Sequence, residues 1–549
     1  MNSRTPSGDA ILGRVMIAFE GDVLPGWVAR RLADAPVAGM TVFRHHNVRS
    51  PGQVRELTEA FQRAGAGIGA GSAVAAGGAA AAAATGAPGA TGAPLLVAAD
   101  QEGGQLQALG DRTTAFAGNM ALGAAGDPDL AERVGAAIGR EARAMGVNVV
   151  YAPALDLASE PANMALGIRS FGDDPAAVAS LGAALIRGLQ GSGVAAAFKH
   201  FPGLGQVRED THFGLGVVDA DRAALDATGL LPFRAAIEAG ARLAMSAHVA
   251  VPGLTGDATL PATLSRDVMT ELLRGDLGFE GVTISDALDM RALAQGVEQG
   301  AQIEAAIRAG VDLLLCSADH EAQQRIEAAL VAAVARGAFD AAELVASSAR
   351  VSALRAWLGR AAAQPDLSVV GGAEHRALSR ELAERSITLV RGWAESSEPP
   401  RIPARARILS IMPTPTDLTP ADTSSTVAPG LGRALRTRFA SVHEVVVGVA
   451  PTDGEIAALR ARAVAFDAVV VATIDAIRQP GQIELVRALA GTGRPTVAVA
   501  LRTPWDVALY PAEVAAVCTY SILPDPLDAL AAGLLGAIPF AGRLPVAMP

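Results

Sequence analysis

Short apolar runs alternate with longer amphipathic ones through the first two-thirds of the chain. The runs Met40–Phe43, Leu95–Ala99, Val147–Tyr151, Val194–Phe198, Leu243–Met245, Val282–Ile284 and Leu313–Cys316 predict strands. Between them, Gln53–Gln62, Ala131–Ala144, Ala176–Gln190, Asp221–Ala239 and Glu298–Ala309 carry apolar residues at helical spacing. Near-continuous apolar strands separated by helices pair in parallel and are covered on both faces. Seven such units, with room for an eighth, predict an α/β fold that opens with a (β/α)8 TIM-type barrel.

After Ala361 the texture changes. Gln364-Pro365-Asp366 and Gly371-Gly372 interrupt the pattern, and Glu395–Pro403 is polar and Pro-rich. Beyond it, Ile408–Ile411, Glu444–Val449, Ala468–Ala472 and Thr496–Leu501 predict strands again, alternating with helices such as Asp453–Ala465. The expected layout is a barrel over residues 1–365, a linker region over 366–404 and a smaller C-terminal α/β sandwich domain over 405–549. Residues 65–93 are almost wholly Ala, Gly, Ser, Thr and Pro. They predict a disordered insertion on the face away from the chemistry.

Composition narrows the function. The 549 residues carry a net charge of −11, which disfavours nucleic acid and anionic membrane partners. No run is long and apolar enough for a membrane span, and Met1–Asp9 lacks a signal-peptide pattern, so a cytoplasmic protein is expected. Cys316 and Cys518 sit far apart in apolar runs, as buried free thiols would. No Cys/His cluster has metal spacing, and no Gly-rich phosphate loop follows a strand, so neither metal nor cofactor is expected.

The chain contains a single lysine, Lys199, among 45 basic residues. A compact ammonium kept where arginine is used everywhere else marks a position that the wide guanidinium fork does not fit. Lys199 also closes an apolar run and opens a Gly/Pro loop. Other polar residues fall in the same place relative to the strands. His45 and His46 follow Phe43, Asp100 and Glu102 follow Ala99, and Asp156 follows Tyr151. His200 follows Lys199, His248 follows Met245, and Asp286 follows Ile284. In a barrel those carboxyl ends form the catalytic face. Asp210-Thr211-His212 sets a carboxylate beside an imidazole, which suits proton transfer or a salt-bridged loop. Asp286 suits a nucleophile or a helix N-cap. The pair Gly103-Gly104 suits close approach to a ligand or a tight turn, and Arg169 a clamp or a loop anchor.

Five motifs in order then carry a resemblance. They are Asp100-Gln101-Glu102-Gly103-Gly104, Arg169-Ser170-Phe171-Gly172, Lys199-His200-Phe201-Pro202-Gly203, Asp210-Thr211-His212 and Gly278-Phe279-Glu280-Gly281 running on to Asp286. Together they resemble glycoside hydrolase family 3, and within it the β-N-acetylhexosaminidase branch that carries the Asp-x-His loop. The resemblance runs over nearly the whole chain, including Arg502-Thr503-Pro504-Trp505-Asp506 and Gly542-Arg543-Leu544-Pro545-Val546. It implies a retaining, exo-acting β-N-acetylglucosaminidase. In that reading Asp286 is the nucleophile, His212 the acid/base and Asp210 its partner, while Asp100, Arg169, Lys199 and His200 hold sugar hydroxyls. The implied partner is a small amino-sugar glycoside, such as a muropeptide or chitooligosaccharide fragment. The alternatives are a β-glycosidase of other sugar specificity, a glycoside phosphorylase, or an inactive sugar-binding homologue. Gln105 and Ala108 stand where the family usually has arginines, so sugar contacts on that side differ.

Overall fold

The computed structural model describes residues 8–75, 93–393 and 398–548. Its first sheet comprises β1 (Val15–Ile17), β2 (Gly39–Val42), β3 (Leu96–Ala99), β4 (Val149–Val150), β5 (Ala195–Phe201), β6 (Leu243–Ser246), β7 (Val282–Ile284) and β8 (Leu314–Leu315). Neighbours pair in parallel in chain order, and β8 returns to β1. A parallel bridge from Ile284 to Leu313 closes the ring, giving the expected barrel. The first strand was not among those predicted, because three residues are too few to show a period.

Alternation along each strand sorts side chains to two sides. Leu96, Ala98, Ala195, Ala197 and Leu243 fill the barrel interior. Val97, Ala99, Ala196 and Ala244 face the surrounding helices. Two of those helices are α1 (Pro128–Ala144) and α2 (Pro175–Gly191). Each starts with an Asp N-cap and a Pro in its first turn, the pairing that satisfies free N–H groups and presets φ. The two pack so closely that a Cβ on Gly188 would lie 2.0 Å from the Glu132 carbonyl. The predicted helix Asp221–Ala239 is instead broken by a π-turn at Leu225–Gly229, beside Gly229 and Pro232. Under the barrel, α3 (Ala341–Gly359) plugs the floor with Val351, Leu354 and Leu358.

The stretch 366–404 is more than a linker. It holds α4 (Ala373–Ser386) and β9 (Thr388–Arg391), the edge strand of the second sheet. Polar flanks conceal a strand of four residues from a reading by period. The other strands are β10 (Arg407–Pro413), β11 (Ser441–Val447), β12 (Ala468–Thr473), β13 (Thr496–Ala500) and β14 (Ala515–Cys518), in the order β9-β14-β13-β12-β10-β11. All pairs are parallel except β9 with β14. One face of this sheet, with Leu409, Ile411, Val469 and Val471, joins the same continuous core as the barrel's outer shell. The other face, with Ile408, Val470 and Val499, packs on its own helices.

The helix Pro51–Ala75 runs into the Ala/Gly insertion, and residues 76–92 of that insertion lie outside the described residues. Among the described residues, no helix is long and apolar enough to cross a membrane.

Candidate active site

The carboxyl ends of β3, β5 and β7 deliver Asp100, Lys199, His200 and Asp286 to one cavity of about 190 Å³. Arg169 and His212 line it as well, and Asp210 stands behind His212. All seven site residues expected from the sequence therefore come together. A larger cavity of about 760 Å³ lies at the amino ends of the second sheet's strands, beside Trp393, Arg405 and Arg494. It gathers no pair of nucleophile and base, so the smaller cavity is where chemistry is possible.

Lys199 is 1% exposed. Its Nζ lies 2.5 Å from Asp100 Oδ1 and 2.6 Å from Glu102 Oε1. An ammonium has three hydrogens, so one remains for a ligand. Arg169 grips both oxygens of Glu102, at 2.8 and 2.9 Å. Burial would raise the Glu102 carboxyl, but the Arg169 and Lys199 charges pull it down to about 2. Burial works against the Lys199 ammonium too, yet Asp100 and Glu102 raise its pKa above the usual value. Glu102 is thus the fixed anion that holds two cations in place, a role the sequence did not assign.

Asp156 was also missed as a partner, although it follows β4 as the others follow their strands. Its Oδ2 accepts from His200 Nδ1 at 2.7 Å, and its Oδ1 from the Leu204 amide at 2.8 Å. Arg169 Nη2 lies 3.3 Å from His200 Nε2. Arginine can only donate, so Nε2 accepts and the ring proton sits on Nδ1.

His212 Nδ1 lies 2.6 Å from Asp210 Oδ1, and the same oxygen takes the His212 amide at 2.9 Å. Asp210 is half-buried. Burial raises its carboxyl, the hydrogen bonds and charge of His212 lower it, and the result lies below the usual range. Its second oxygen is buried with no partner among the described residues. The Asp210 acceptor fixes the His212 proton on Nδ1 and leaves Nε2 for a reacting group.

Asp286 is not a helix cap, because no helix follows before Gly296. Its Oδ1 accepts the Ala287 amide at 2.7 Å. Burial raises the Asp286 carboxyl, but His200, His248 and His212 together hold it below its ordinary value. His248, buried behind it, is pushed down by burial. Its Nε2 meets the Ala287 carbonyl at 3.2 Å and its Nδ1 meets Thr263 Oγ1 at 2.8 Å. The Gly103-Gly104 pair makes a tight turn rather than a ligand contact. Both have positive φ, and the Gly104 amide donates to the Phe116 carbonyl at 2.8 Å.

The second domain closes one wall. Pro420, Ala421, Asp422 and Thr423 line the cavity together with Arg44 and His45. Gln105 fastens them: its carbonyl accepts the Thr423 amide at 2.7 Å and the Thr423 hydroxyl at 2.9 Å. Its side-chain amide donates to the Ala421 carbonyl at 3.4 Å. Asp422 is buried and held by Arg502 at 2.7 Å. Nothing in local sequence links Gln105 to residues more than three hundred positions downstream. Among the described residues, no group of His, Cys, Asp and Glu has the arrangement of a metal site.

The family model described as "Glycosyl hydrolase family 3 N terminal domain" matches residues 75–354. A β-hexosaminidase A of Pseudoalteromonas piscicida is 32% identical over 71% of this chain and 64% of its own length. A β-N-acetylglucosaminidase/β-glucosidase of Cellulomonas fimi is 33% identical over 54% of each chain. The chain thus spans under two-thirds of both relatives. A β-hexosaminidase of Xanthomonas oryzae pv. oryzae is 37% identical over 59% of this chain and 92% of its own. Among solved structures, a family 3 β-N-acetylglucosaminidase of Paenibacillus sp. superposes with a TM-score of 0.88 and 33% identity, covering 100% of this chain and 99% of that one. A β-glucoside phosphorylase, at 21% identity and a TM-score of 0.80, shares the fold. On the matched domain and these relatives, the chain belongs to glycoside hydrolase family 3.

Proposed function

We propose that the protein is a retaining, exo-acting β-N-acetylglucosaminidase. The observation that carries this reading is the Asp210–His212 pair lining the same cavity as the half-buried, ionised Asp286. Asp286 attacks the anomeric carbon and forms a covalent glycosyl-enzyme. His212 Nε2 gives its proton to the leaving oxygen and later takes one from water. Imidazole in this role avoids setting a second anion beside the carboxylate that must leave. For His212 to act first as an acid, both ring nitrogens carry protons, and Asp210 accepts the one on Nδ1. Asp100, Arg169, Lys199 and His200 hold the hydroxyls of a terminal sugar, and the wall from Pro420 to Thr423 limits the cavity to a short ligand. A small amino-sugar glycoside fits these features.

A second reading concerns the sugar. The Cellulomonas fimi relative carries both N-acetylglucosaminidase and glucosidase in its name. Gln105 is spent on the second domain and Ala108 offers no charge, so the cation on that side is Arg44, whose Nη1 donates to the Gln107 carbonyl at 3.4 Å. Turnover of a panel of aryl β-glycosides, with and without phosphate, separates the readings. N-acetylglucosaminide should be preferred and should yield free sugar. Sugar 1-phosphate as the main product would replace hydrolysis by phosphorolysis. Asp286→Asn should abolish turnover by several orders of magnitude with circular dichroism unchanged. Turnover near wild type would remove Asp286 as nucleophile.

A further inference from the structure

A second cluster of charge lies at the other end of the barrel, where α3 meets the amino ends of the strands. Asp312, just before β8, is buried. Arg274 Nη2 reaches its Oδ2 at 2.7 Å, and Arg350 Nη2 reaches its Oδ1 at 2.7 Å. Arg14, just before β1 and only 5% exposed, donates to the Asp312 carbonyl at 3.3 Å, to the Leu344 carbonyl at 3.0 Å and to Ser347 Oγ. Two guanidiniums thus share the Asp312 carboxylate, and a third, that of Arg14, lies beside it on the Asp312 carbonyl. All three line a cavity of about 120 Å³.

The surrounding charges do not settle the imbalance. Glu343 is engaged by Arg266 at 2.8 Å, and Arg308 faces Glu304 at 3.6 Å. Asp340, also in the cavity lining, accepts the amides of Ala342 and Glu343 and keeps its charge, which leaves three guanidiniums facing two carboxylates. The carbonyls of Phe279, Gly281 and Gly310 accept from Arg274, which satisfies hydrogen bonds but brings no charge. Burial drops Arg14 to about 10, with Asp312 opposing and Arg350 adding to the fall. Arg274 Nε is buried without a partner, and Arg350 Nη1 makes no hydrogen bond among the described residues. Arg14 is buried, and Arg274 and Arg350 are half-buried. Excess charge of one sign at such exposure is costly, and a bound counter-charge lowers the cost. Guanidinium forks match tetrahedral oxyanions through paired N–H donors.

We propose that this floor cavity binds one small oxyanion, phosphate or sulfate, through Arg14, Arg274 and Arg350. The site lies across the barrel from the catalytic face, so its occupancy bears on stability rather than on turnover. The test is calorimetric titration of the full chain with inorganic phosphate, and separately with sulfate, at matched ionic strength. Wild type should take up an anion that chloride does not replace. Arg350→Gln and Arg14→Met should each weaken that uptake about tenfold or more, the loss of one charge-assisted contact. Both variants should keep kcat/KM on an aryl glycoside. Sulfate competing with phosphate assigns the site to tetrahedral dianions in general, and sulfate failing to compete assigns it to phosphate. Arg350→Gln removes a partner of buried Asp312, so Arg14→Met, which leaves Asp312 with two arginines, decides the matter if the first variant does not fold. No uptake, or uptake that Arg14→Met leaves intact, overturns the proposal. In the second case the anion sits elsewhere, such as the sugar pocket.

Discussion

The barrel and the second sheet are built alike up to the carboxyl ends of their strands. In both, parallel apolar strands give way to polar residues. In the barrel, closure aims those residues at one axis, and Asp100, Lys199, His200 and Asp286 meet around a cavity. The second sheet is open, and its polar residues pair sideways with each other. Asp506 accepts from Thr473 Oγ1 at 2.6 Å and from the Ile477 amide at 3.2 Å, while Arg502 reaches Asp422. Two buried carboxylates show the difference in one property. Glu102, between two cations, is held down to about 2. Asp506, among hydroxyls and amides, is pushed up to about 6, by burial above all. A closed sheet thus collects charge where a ligand can use it, and an open one neutralises it locally.

The largest test of this contrast is His212→Ala. It should slow glycosides with poor leaving groups by about 10²- to 10⁴-fold and good ones far less, in a leaving-group series. Equal slowing of both would contradict an acid role. Next is Glu102→Gln, which leaves Arg169 and Lys199 without their shared anion. A loss of about 3–5 kcal/mol in urea unfolding is expected, as for a broken buried pair. It should also change the pH profile. A lowered folded pKa gives stability that is present above the unfolded value of 4.5 and lost as pH falls toward about 2. The variant should lose that acid limb. Lys199→Arg should cost about 1–3 kcal/mol through overpacking and should raise KM, despite the retained charge. Normal binding and turnover would mean that the single lysine is an accident of composition. The smallest effect belongs to the second sheet. Asp506 has a raised folded pKa, so wild type should lose stability as pH rises from 3.8 to about 6. Asp506→Asn should flatten that slope in unfolding midpoints and leave turnover untouched.

How much of this was legible in the sequence depends on distance along the chain. Strand ends were legible, because an apolar run followed by Asp100, Lys199 or Asp286 is a local pattern. Seven barrel strands were placed within a few residues, and only β1 escaped. The second sheet's β14 escaped because Ala515 to Cys518 lacks the bulk that marks a strand. The roles of Glu102 and Asp156 were hidden because they are defined by partners sixty-seven and forty-four positions away. The wall from Pro420 to Thr423 was hidden more deeply, since only the packing of one domain on the other brings it to Gln105.

That wall separates two kinds of information. The groups proposed to break and form bonds lie before residue 290, and one side of the cavity they line is written after residue 419. An exchange of the segment beyond α3 between two related genes would replace that side and leave the reacting groups intact. On the proposed roles, reacting groups and one wall of the cavity can therefore be inherited separately, with the contact at Gln105 as the joint between them.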